Sequence, residues 1–163
     1  MGTLAAVAVG SNLGDRAGTI ALAIEALAET DGVTLLAAST LHETAPVGGP
    51  PQGRFLNGAL LLETTLEPLV LLGRLHEIER SFGRIRADGV PNGPRTLDLD
   101  LLIQGDLLLR TPQIELPHPR LHERAFVLDP LVEIAPDLEH PGCSRSIRQL
   151  HDALHRMAGE TTS

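Results

Sequence analysis

Residues 55–83 read FLNGALLLETTLEPLVLLGRLHEIERSFG, and two different periods follow one another along them. The stretch 55–65 has the apolar, β-prone character of a strand. From 67 to 83 the apolar residues recur at helical spacing, which predicts an amphipathic helix capped by Thr65 and stopped at Gly83. The same order stands at the start of the chain. LAAVAV (4–9) predicts a short buried strand halted at Gly10-Ser11-Asn12, and GDRAGTIALAIEALAET (14–30) predicts a helix. VTLLAASTLHET (33–44) and GPRTLDLDLLI (93–103) supply the remaining strands. The order β-α-β, β-α-β predicts an α+β, ferredoxin-like core with a mostly antiparallel sheet. Beyond it, a turn at Gly105-Asp106 suggests a hairpin with LLLRTPQIEL (107–116) as the return strand. Residues 117–138 predict short helical pieces and 146–159 a last helix, as C-terminal additions. No repeat, low-complexity tract or long linker interrupts the chain, so one domain over 1–163 with a single core is expected.

The composition excludes several chemistries. All thirteen basic residues are arginine, so a P-loop lysine, a kinase strand lysine and Schiff-base chemistry are ruled out. A net charge of −8 argues against nucleic-acid binding, which needs a basic footprint. No run approaches the roughly 18 apolar residues of a membrane span, and MGTLAAVAVG lacks the flanks of a secretory signal. Cys143 is the only cysteine, so a reducing, cytoplasmic setting is expected.

Within GPRTLDLDLLI, strand alternation puts Asp98 and Asp100 on one face, Cα atoms about 6.6 Å apart, with Leu97, Leu99 and Leu101 on the other. At an effective dielectric near 20 the two charges repel by about 2.5 kcal/mol; in open water the cost falls below about 1 kcal/mol. A half-solvated edge strand therefore accommodates the pair, and so does bound metal. The neighbours favour metal. Arg95 lies just ahead, and Arg84 and Arg86 stand at the far end of the same Gly/Pro loop, so cations and carboxylates share one rim. Carboxylates hold Mg²⁺, the metal coordinates phosphate oxygens, and arginine forks take the remaining anionic oxygens.

Six blocks now stand in order along the chain: VGSNLGDR (9–16), FLNGALLLET (55–64), GRIR (83–86), GPRTLDLDLLI (93–103), LPHPRLHERAFVLDPL (116–131) and EIAPDL (133–138). Together they resemble the 6-hydroxymethyl-7,8-dihydropterin pyrophosphokinase family of folate biosynthesis. The resemblance implies transfer of diphosphate from ATP to the pterin hydroxymethyl oxygen, release of AMP, and two Mg²⁺ ions. By that resemblance Asp98 and Asp100 hold both ions and Arg84 and Arg95 assist transfer, with Arg86 beside them. His118 and Arg124 match residues at the triphosphate. His76, Glu79, Leu101 and Ile114 fall where the family meets ribose and adenine. Phe55 and Phe126 match the pterin sandwich, Asn57 its hydrogen-bonding partner, and Thr44 and Val47 the backbone at the ring edge. Departures are Pro91 and Asn92 before the GPR block, and Gln113 and Pro119 near the nucleotide. The stretches 45–54 and 85–94 are expected to close over the substrates. A monomer with no nucleic-acid or membrane partner is expected.

Two other patterns carry less. His118/His122 and His151/His155 each have the i, i+4 spacing of zinc ligands, but Pro117 and Pro119 interrupt the first pair and no HExxH is present. Solvent-facing roles are expected for His151 and His155. The rival readings are a metal-dependent phosphohydrolase using the same aspartates, and a ferredoxin-like binding module without catalysis.

Overall fold

A computed structural model describes residues 2–12, 15–44, 55–82 and 97–162, with side chains as far as Met157 in the last stretch. Gly83, the expected closing stretches 45–54 and 85–94, and Val47, Arg84, Arg86, Pro91, Asn92 and Arg95 lie outside the described residues.

The first strand, β1 (Thr3–Ser11), leads to α1 (Arg16–Ala28) and β2 (Val33–Ala38). Then come β3 (His42–Thr44), β4 (Phe55–Thr64), α2 (Pro68–Ser81) and β5 (Asp98–Gln104). The strands form an antiparallel sheet in the order β2-β4-β1-β5, with β3 added on β4. This is the ferredoxin-like arrangement the element order predicts. Asp15 caps α1 by accepting from the Gly18 N–H at 3.1 Å.

α2 starts differently from expectation. Its N-cap is Glu67 with no side-chain cap bond, and Pro68 fills the first turn, where a missing N–H costs nothing. Thr65 is therefore too early to cap it. The neighbouring Thr64 hydroxyl instead donates to Gly32 O at 2.8 Å and accepts from Leu66 N at 3.0 Å, fixing the bend into the helix.

The stretch after Gly105 also departs from expectation. It does not return along β5. Thr111 and Ile114 bond backbone to backbone around Pro112, so the segment folds on itself as β6 (Leu109–Arg110) and β7 (Glu115–Leu116). A 3-10 turn (Leu121–Glu123) and α3 (Ala125–Ile134) follow. The small pair β8 (Glu139–His140) and β9 (Arg145–Ser146) then leads into α4 (Ile147–Thr162).

The sheet divides the apolar residues in two, where a single core was expected. On one side Ile20, Leu27, Leu71 and Leu75 of α1 and α2 pack on Val7, Val9, Leu60, Leu62, Leu97, Leu99 and Leu101. On the other, Leu121, Val127, Leu128, Leu131, Ile147 and Leu150 pack on Ala6, Ala59, Leu102 and Ile103. The C-terminal elements are thus the second helical layer. A bulge makes this possible: Val7 pairs with Leu101 and Ala6 with Ile103, so Leu102 is the extra residue and both Leu102 and Ile103 serve the second layer. None of the described helices is long and apolar enough to cross a membrane.

Candidate functional site

Among the described residues, the second layer covers only part of its sheet face. Leu102 lies under it, and two and four residues earlier Asp100 and Asp98 continue along the same face, both half-buried. Strand register carries the row across the sheet. Asp98 lies opposite Gly10, Gly10 opposite Asn57, and Asn57 opposite His42. Phe55 shares Asn57's face and lies opposite Thr44. Five of the residues picked from the sequence, Thr44, Phe55, Asn57, Asp98 and Asp100, therefore share one open face.

Gly10 keeps that face open. A Cβ there would lie 2.7 Å from Asn57 Oδ1. Asn57 Nδ2 donates to the Thr44 hydroxyl, which orients the amide and leaves its carbonyl oxygen as an acceptor. The short strand β3 is itself held from α3. Glu133 accepts from Thr40 N at 2.9 Å and from its hydroxyl at 2.8 Å, and bonds His42 Nε2. Desolvation pulls the Glu133 carboxyl up, but these bonds outweigh it and hold it below the ordinary carboxylate value.

His118, Arg124 and Phe126 border the covered end. The His118 N–H donates to Leu102 O at 2.8 Å, tying this segment to β5. Its Nδ1 accepts from Arg120 N at 3.2 Å, so the neutral ring carries its proton on Nε2. Arg124 lies 5.5 Å over the Phe126 ring, a cation–π contact at the start of α3. Burial lowers the His118 imidazole below the ordinary histidine value and Arg124 adds to this, against the pull of Glu115 and Asp98. The unfolded chain thus takes up a proton that folded His118 refuses, so its contribution to stability is present above about pH 6.5 and lost as pH falls through that value. In urea titrations, the stability gap between wild type and His118→Gln is expected to narrow from about pH 7.5 to about pH 5.5.

The remaining nucleotide candidates sit elsewhere. Leu101 and Ile114 are 5% and 8% exposed and belong to the core under α1 and α2, so each offers little wall to a ligand. His76 is exposed on α2. Glu79 is 1% exposed, and its Oε2 accepts from the Leu99 N–H at 2.7 Å, between the two aspartates. Because β5 is the edge strand among the described residues, that N–H points away from β1 and α2 satisfies it.

Sequence reasoning missed Gly10 and the Glu133 brace. Gly10 had a signal, a glycine directly after the apolar run 4–9, although β1 continues through it to Ser11; Glu133 and Thr40 are 93 residues apart and had none. Asp98 and Asp100 offer hard oxygen donors on one face, the donor type Mg²⁺ requires.

Residues 6–136 match the family described as 7,8-dihydro-6-hydroxymethylpterin-pyrophosphokinase (HPPK). A Bacillus subtilis 2-amino-4-hydroxy-6-hydroxymethyldihydropteridine pyrophosphokinase is 41% identical over 149 residues, 91% of this chain and 88% of that protein. A Pseudomonas aeruginosa protein of the same name is 44% identical over 135 residues, 83% and 82% of the two chains. Among solved structures, wild-type Plasmodium falciparum HPPK-DHPS with pteroate superposes with a TM-score of 0.78 at 15% identity, covering 100% of this chain and 44% of that one. That likeness speaks for the fold alone, and this chain spans less than half of that protein. With a family match spanning residues 6–136 and relatives above 40% identical over most of both chains, the chain belongs to the 7,8-dihydro-6-hydroxymethylpterin-pyrophosphokinase family.

Proposed function

We propose that this chain transfers diphosphate from ATP to the hydroxymethyl oxygen of 6-hydroxymethyl-7,8-dihydropterin, releasing AMP, in folate biosynthesis. The observation that carries the reading onto particular residues is the single open face shared by Thr44, Phe55, Asn57, Asp98 and Asp100. A flat heterocycle and a polyphosphate tail can meet there.

In this reading Asp98 and Asp100 are the ligands of two Mg²⁺ ions. When bound, the ions neutralise phosphate oxygens and organise the reacting groups. The chain's own part is binding and orientation. Phe55 and Phe126 sandwich the pterin, the Asn57 carbonyl oxygen accepts from its edge, and Thr44 and Val47 border the ring. His118 Nε2–H and Arg124 donate to phosphate oxygens. Arg84 and Arg95 steady the charge growing on AMP as the hydroxymethyl oxygen attacks the β-phosphorus and the bond from that phosphorus to the AMP oxygen breaks; Arg86 binds beside them. In this reading the ribose and adenine extend from the aspartates towards exposed His76, with buried Glu79, Leu101 and Ile114 supporting that path from beneath. No strong general base is demanded. A cytoplasmic monomer that binds neither nucleic acid nor membrane is the setting we propose.

Incubating the chain with Mg-ATP and the pterin alcohol, and separating nucleotides by chromatography, is expected to give AMP only when both magnesium and pterin are present. Nucleotide turnover without pterin would replace this reading with a phosphohydrolase. Absence of any nucleotide affinity by calorimetry would replace it with a binding module.

A further inference from the structure

Away from the open sheet face, α3 and α4 meet at three side chains that the transfer reaction does not use. His151 and His155 stand one turn apart on α4, and both direct Nε2 at the same oxygen, Asp129 Oδ1, at 3.0 and 2.8 Å. Their ring centroids are 4.4 Å apart with planes tilted by 52°. One donor atom from each of Asp129, His151 and His155 lies within 4.8 Å of the others.

His151 has a carboxylate on each side. Its Nε2 faces Asp129, while its Nδ1 lies 3.6 Å from Asp152 Oδ1. Ligation of a metal through Nε2 requires the ring proton to sit on Nδ1, the nitrogen on the Asp152 side. A proton on Nδ1, facing Asp152, leaves the Nε2 lone pair aimed at Asp129 and beside the second imidazole. A divalent cation held by both Nε2 atoms and Asp129 would take the place of these hydrogen bonds, and Asp152 would stand on the outer side of the His151 ring, where partners orient metal-bound histidines. Two imidazoles and one carboxylate suit a borderline ion of the zinc type better than Mg²⁺. The neighbouring open groove, lined by Asp152, His155 and Arg156, leaves room for water as a further ligand.

We propose that Asp129, His151 and His155 form a second metal site, selective for a zinc-type divalent cation, that fastens α4 to α3. The expected consequence is stabilisation of the helical layer whose N-terminal end carries Arg124, the N-cap of α3, and Phe126.

The chelator-treated chain would be titrated with Zn²⁺ and with Co²⁺ in excess Mg²⁺, which occupies all-oxygen sites. Expected are one Zn²⁺ per chain, a rise in melting temperature of about 5 °C or more, and visible d–d absorption on adding Co²⁺. Asp129→Asn and His155→Ala, each checked for folding by circular dichroism, should weaken binding by at least about tenfold and lose the Co²⁺ signal. His122→Ala, outside the cluster, should keep both. His151→Gln serves as a ligand variant if either of the first two fails to fold. The proposal is overturned if Co²⁺ gives no signal in the wild type, or if folded ligand variants retain the binding. In that case the cluster is a hydrogen-bonded clamp between the two histidines and Asp129.

Discussion

Asp98→Asn is expected to reduce AMP formation by at least about a thousandfold, equivalent to about 4 kcal/mol of transition-state stabilisation. Fold and melting cooperativity should be retained. Asp98 is half-buried at the open end of the face, and the neighbouring Leu97, Leu99 and Leu101 that anchor β5 are untouched. The amide preserves shape and removes the charge that would hold Mg²⁺. Coupled spectrophotometric assay of AMP, with a magnesium titration at each ATP concentration, measures the effect. Near-wild-type transfer by a folded Asp98→Asn chain would remove the basis for placing the ions there.

Glu79→Ala is expected to cost about 3 kcal/mol of stability, roughly 6–12 °C in melting temperature, because it strands the Leu99 N–H in a dry environment and leaves a void. Transfer should fall with it, since that bond fixes the strand carrying both aspartates. Glu79→Gln retains a carbonyl acceptor and should recover most of the stability. The pair also separates two roles. If Glu79 chiefly contacts the nucleotide, Glu79→Gln raises KM for ATP while the melting temperature barely moves. If it chiefly holds β5, Glu79→Ala lowers melting temperature and kcat together, and Glu79→Gln restores both.

Local periodicity accounts for what could be read ahead of the structure. Alternation in 97–103 fixed the face shared by Asp98 and Asp100, and the succession of strand and helix periods pointed to a ferredoxin-like, mostly antiparallel sheet. Features set by distant partners were not legible. Glu79 reads as a polar helix residue, yet β5 draws it under the sheet for a backbone N–H. The bulge at Leu102 breaks strict alternation only because Ile103 must also face the second layer. Thr65 looked like a cap because Ser and Thr fill that role so often, but Pro68 sets where α2 begins. His151 and His155 were expected to face solvent; His155 is exposed, but His151 is half-buried, since nothing near them in sequence reveals that Asp129 approaches from α3.

The outer side of β5 has a bearing on how copies of the chain behave at high concentration. A bare sheet border invites strand addition by another molecule, the first step towards fibrils. Here Glu79 already consumes the Leu99 amide, and a visiting copy docking β5 against β5 would crowd four aspartates together. The acids suited to phosphate chemistry thereby also discourage stacking of one molecule on the next.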